Sequence, residues 1–189
     1  MIGWPRIQRD NAAGSPVCVQ FAAIIIVATL AACSEAPPTG VPKPAPPEQR
    51  ADKILVEKTA RRLTLLRAGK QIATYDIALG FNPVGHKQRE GDGRTPEGRY
   101  TIDGRNPGSA YHLSLRVSYP DAKDRASAQA RGVPPGGDIF IHGYPPGKDW
   151  LAHWFRHWDW TAGCIAVTDA EIRDIWARVP NGAEIEIRP

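Results

Sequence analysis

Cysteine is scarce in this 189-residue chain, which has only Cys18, Cys33 and Cys164. Long apolar runs are also missing. The stretch Phe21–Ala32 is apolar apart from Thr29, yet it falls well short of the roughly 20 residues that span a bilayer. It is therefore read as a signal-type h-region and not as an anchor helix. No basic block and no aromatic–basic alternation accompany the formal net charge of +4, so nucleic acid is not an expected partner. No lysine follows Gly91-Asp92-Gly93 in the frame a phosphate loop requires. His153 and His157 stand four apart, but Trp154 occupies the place where the zinc-peptidase helix needs a glutamate. Neither a metal nor another cofactor is expected.

The amino-terminal residues that are present have a pattern of their own. Arg6 and Arg9 precede the apolar run, which ends in Leu30-Ala31-Ala32-Cys33. This arrangement resembles a bacterial lipoprotein signal peptide over residues 1–32, cleaved so that Cys33 carries lipid. The resemblance implies a periplasmic domain held to a membrane through Cys33. Ser34, standing where aspartate would favour inner-membrane retention, points to the outer membrane. Residues 33–50 contain Pro37, Pro38, Pro42, Pro44, Pro46 and Pro47, a composition that favours a semi-rigid polyproline tether. Residues 51–189 have the length of one ordinary domain with a core of its own. That domain is left with one thiol, Cys164, which has no internal disulfide partner.

Hydrophobic patterning predicts a mostly β domain, a sandwich or barrel with one or two short helices. Ile54-Leu55-Val56 and Leu63-Thr64-Leu65 read as strands, and Arg67-Ala68-Gly69-Lys70 as a turn into a strand from Ile72 to Leu79. Further strands are expected at Arg99–Asp103, Tyr111–Val117, Ile139–Ile141 and Ala183–Ile187, with a short helix at Ala122–Ala130. Thr168 and Glu171 form a capping box, and Ile172, Ile175, Trp176 and Val179 follow at helical spacing. In Asp149–Trp160, Trp150, Trp154 and Trp158 recur every four residues. That spacing predicts a helix packed on the core, with a lid or glycan-stacking platform as the alternative.

Three short motifs carry the chemistry. Thr95-Pro96-Glu97-Gly98 precedes a strand, Ile141-His142-Gly143 ends one, and Thr161-Ala162-Gly163-Cys164 leads into the capped helix. A thiol is mostly protonated at neutral pH, and an adjacent imidazole gives access to the reactive thiolate. In that order the motifs resemble the L,D-transpeptidase catalytic domain (YkuD) from Ile54 to Pro189. The resemblance implies Cys164 as nucleophile and His142 as proton donor and acceptor. The amides of Gly163 and Cys164 are natural oxyanion donors, and the resemblance implies Thr161 at the position where a main-chain or hydroxyl oxygen orients His142. Arg94, Tyr111 and Arg156 are candidate substrate contacts from position alone.

The implied reaction acts on peptidoglycan tetrapeptide stems through a Cys164 thioester, forming cross-links or attaching a wall-linked lipoprotein. The chain departs from the usual family pattern at Ala162, where a second histidine is common, and at Ala166, where arginine or asparagine is common. These departures leave open a carboxypeptidase or hydrolase that releases D-alanine or detaches wall-linked protein. A catalytically silent wall-binding lipoprotein is the alternative of another class.

Overall fold

The computed structural model describes residues 40–155 and 158–189. The expected leader and the expected lipidation at Cys33 fall outside the described residues, as do Arg156, His157 and the side chain of His153. Among the described residues, eight strands and three α-helices follow in chain order. The first strands are β1 (Lys53–Glu57), β2 (Arg62–Arg67), β3 (Lys70–Asp76), β4 (Gly98–Asn106) and β5 (Ser114–Val117). Helix α1 (Ala122–Ala130) is followed by β6 (Phe140–His142), α2 (Ala152–Phe155) and β7 (Ile165–Ala166). Helix α3 (Asp169–Arg178) and β8 (Glu184–Arg188) complete the domain. All eight strands join one sheet in the order β3-β2-β1-β8-β4-β5-β6-β7. The domain is mostly β, as the patterning predicts.

Alternation explains the register. In β1, Ile54 and Val56 are fully buried between half-exposed neighbours, and they face Leu65 and Leu63 of antiparallel β2. On the other side they pair with Ile185 and Ile187 of β8, which runs parallel to β1. Helix α3 covers this core with Ile172, Ile175 and Trp176. Its start is the capping box Thr168–Glu171, with both reciprocal bonds formed. At its other end Arg105 from β4 donates to the carbonyls of Trp176, at 2.5 Å, and Val179. The same guanidinium lies over the Trp176 ring, 4.1 Å from its centroid. The orphan carbonyls of a helix end thus find a cation.

Four expectations are corrected. Strand β3 stops at Asp76, and the chain beyond it crosses to the far edge of the sheet: Ala78 bridges Ala166 and Gly80 bridges Thr161. Strand β5 begins at Ser114 and not at Tyr111, because His112 takes a positive φ of 67° that breaks the extended run. Residues 40–50 are docked, which narrows the proposed tether. The Ala45 N–H donates to Ala177 O at 2.8 Å, and Arg173 of α3 donates to Gly40 O at 2.8 Å. Lastly, Asp149–Trp160 is no continuous helix. It is a 3₁₀ turn at Asp149–Leu151 and the single turn of α2, and Trp150, Trp154 and Trp158 are 74%, 63% and 68% exposed. So short a helix gives residues four apart no common face on the core. Phe155 turns inward instead, packing with Tyr144 and Trp160.

Candidate active site

Parallel pairing of β6 with β7 builds the site. His142 lies opposite Ala166 and Ile141 opposite Ile165. Side chains two apart on a strand share a face, so Cys164, just before β7, emerges on the side of the sheet that carries His142. Both line a cavity of about 260 Å³ together with Tyr111, Ser114, Asp138 and Phe140. The Tyr111 ring lies 4.6 Å from the His142 ring, and Trp160 meets His142 edge-on at 5.8 Å.

His142 is buried, and its Nδ1 lies 2.6 Å from Gly143 O. A carbonyl only accepts, so Nδ1 carries the proton and Nε2 is the basic nitrogen. Burial pushes the His142 pKa down, and the bond to Gly143 offsets part of that. Burial pushes the Cys164 thiol up, against opposing pulls from a main-chain contact at Phe140 and the Lys87 charge. Both shifts favour the neutral forms, thiol and imidazole, over the ion pair. The Cys164 thiol donates to Asp138 O at 3.5 Å.

Thr161 has a different job from the one the resemblance implies. Its hydroxyl donates to Cys164 O at 2.7 Å and accepts from Gly163 N–H at 3.1 Å. The oxygen that orients His142 belongs to Gly143, and Thr161 instead closes the turn that presents the thiol. The same bond occupies the Gly163 amide, so that N–H is not a free oxyanion donor. Thr161 is itself fixed by main-chain bonds to Leu79 and Phe81, where the chain crosses after β3.

Arg94 does not line the cavity; its guanidinium reaches His86 O at 3.5 Å, and its main-chain carbonyl packs against Gly163. Tyr111 does line the cavity. Other residues at and around the site are not singled out by the sequence. Asp138 contacts the thiol, Ser114 lines the cavity, and Asp159 accepts from Leu79 N–H and from Arg61. No pattern in the sequence marks these contacts, because each depends on strand neighbours distant along the chain.

The threonine-proline-x-glycine motif supports the cysteine turn from behind. Buried Thr95 accepts from Gly80 N–H at 3.2 Å through its hydroxyl. Lys58, with a side chain 3% exposed, donates to Glu97 at 2.7 Å, Gly85 O at 2.7 Å and Thr95 O at 3.1 Å. Lys58→Met should cost about 3 kcal/mol, since it strands a carboxylate and two carbonyls. Urea denaturation measures this, and a loss below about 1 kcal/mol would mean that water replaces the ammonium.

A thiol just before β7 and a buried imidazole at the end of β6 face one cavity, an arrangement that can support nucleophilic chemistry. The chain belongs to the L,D-transpeptidase catalytic domain family (YkuD), whose family model matches residues 51–187. It is 31% identical over 130 residues to the Escherichia coli K12 protein named "Putative L,D-transpeptidase YafK", covering 65% of this chain and 45% of that one. The helical cell shape determining protein Pgp2 from Campylobacter jejuni superposes with a TM-score of 0.56 at 26% identity. That match covers 72% of this chain and 46% of Pgp2. Bd1075 of Bdellovibrio bacteriovorus shares the fold, with a TM-score of 0.51 at 23% identity over 80% of this chain and 53% of that one. The chain spans about half the length of these relatives.

Proposed function

We propose that this protein is a cysteine-dependent L,D-transpeptidase of peptidoglycan tetrapeptide stems, held by lipid on Cys33 at the periplasmic face of the outer membrane. The observation that carries the reading is the placement of Cys164 in one cavity with a His142 whose Nδ1 is already committed to Gly143 O. His142 Nε2 takes the thiol proton, and the thiolate attacks the carbonyl between the third, diamino residue and the terminal D-alanine. With Gly163 N–H engaged by Thr161, the oxyanion is assigned to the Cys164 main-chain amide. The carbon–nitrogen bond breaks, D-alanine leaves with the proton from His142, and a Cys164 thioester remains. The side-chain amine of a second stem, or a lysine of a wall lipoprotein, then attacks the thioester and restores the thiol.

Disaccharide-tetrapeptides incubated with the protein and read by mass spectrometry test this reading. Dimers formed with loss of one D-alanine are the expected product. Tripeptide without dimers would move the protein to the hydrolases, and no turnover on stems or on wall-linked lipoprotein would sink the enzymatic reading.

A further inference from the structure

His142 is tied to α3 through one peptide unit. The carbonyl of the Gly143–Tyr144 peptide accepts from His142 Nδ1 at 2.6 Å, and the N–H of that same peptide donates to Asp169 Oδ1 at 2.8 Å. We propose that Asp169 is a positioning residue for the Cys164–His142 pair, acting on the imidazole through this peptide as the carboxylate end of a relayed triad. The proposal rests on reading Cys164 as nucleophile and His142 as its base.

Two physical effects support it. Hydrogen bonds in series polarise one another, so a carboxylate on the N–H makes the carbonyl opposite a stronger acceptor. A stronger acceptor at Nδ1 favours the imidazolium that forms when Nε2 takes the thiol proton. The contact also fixes the peptide plane, and with it the ring. A Cβ on Gly143 would meet Asp169 Oδ1 at 2.4 Å and Tyr111 O at 3.1 Å, so the carboxylate sits directly against the strand end. Gly143 N–H donates to Tyr111 O at 3.1 Å, which pins the other side of the residue. Asp169 occupies the first turn of α3, where a helix N-terminus favours an anion.

Other charged groups bear on the same pair and must be held constant. His112 Nδ1 lies 3.8 Å from Asp169 Oδ2, while Lys87 and Asp138 act on the Cys164 side.

The test is the pH dependence of Cys164 alkylation by iodoacetamide in the full chain, read by mass spectrometry on the peptide that contains Cys164. The parent, Asp169→Asn and His142→Ala are compared. Asparagine keeps an acceptor for Tyr144 N–H and removes only the charge. Asp169→Asn is expected to alkylate roughly tenfold more slowly near neutral pH, the equivalent of about one pKa unit. Its thiolate should emerge at higher pH and its imidazolium titrate at lower pH, opposite movements that a loss of fold does not produce. Asp169→Ser, neutral and well suited to a first helical turn, carries the same expectation where the asparagine variant does not fold.

An Asp169→Asn profile that overlays the parent's would overturn the relay. A parent profile identical to that of His142→Ala would instead sink the nucleophile–base reading itself. The assay needs no peptidoglycan, so neither result depends on the substrate.

Discussion

Cys164→Ala is expected to abolish the covalent intermediate and to lower turnover by roughly 10⁴-fold or more, because no other group at the site replaces the nucleophile. Among the described residues Cys164 is the free cysteine, and it lies in the cavity that holds His142. A thiol-directed alkylating agent should add its mass to the Cys164 peptide of the parent, while the alanine variant stays unmodified. Full turnover in Cys164→Ala would remove the thioester mechanism. His142→Ala should behave differently, forming the adduct slowly because the thiol must ionise unaided.

The pH dependence follows from the same pair. Burial holds the His142 pKa below its ordinary value, so the basic form survives to lower pH than in a solvated imidazole. On the acid side kcat/KM should therefore fall only as pH drops through that depressed value. A fall centred at or above the ordinary imidazole pKa would contradict a buried, neutral base.

Sequence patterning located the elements that bury an alternating or helical face, and it blurred where main-chain groups decide. The β1 pattern shows because Ile54 and Val56 sink into the core while their neighbours do not. Helix α3 shows because its cap and its apolar stripe both lie in the chain itself. Strand β7 has two residues, too few for any period, yet its pairing with β6 places the thiol. The role of Thr161 is not legible in the chain, because a hydroxyl bonding three residues ahead looks the same in sequence as one aimed at a histidine. The carbonyl that does orient His142 belongs to the main chain of Gly143, where any residue type supplies the same atom. The tryptophans at four-residue spacing misled because periodicity predicts burial only where a helix is long enough to present a face. Proline content likewise suggested a tether where Gly40 and Ala45 in fact find partners on α3.

Gly163→Ala is expected to damage stability and chemistry together, for a reason different from the one its place beside the thiol suggests. A side chain there would point at the protein and not at the substrate. The added Cβ would lie 2.7 Å from the main-chain carbonyl of Arg94 and 3.2 Å from Ile139 Cδ1, at a backbone φ of +133°. Strain and overpacking together should cost about 3 kcal/mol, read as a Tm lower by roughly 10 °C. The carbonyl of Arg94 is backbone, flanked by Asp92 bonded to Arg94 N–H and by the buried Thr95, so the cysteine turn must give way. A shift of the thiol by about 1 Å is enough to lower kcat on the order of 100-fold. Gly182→Ala is the control, because its φ is +86° but no atom lies within 4 Å of the added Cβ. It should lose about 1 kcal/mol and leave activity intact. If Gly163→Ala matched Gly182→Ala in both Tm and turnover, the Arg94 carbonyl would not be what holds the thiol in place.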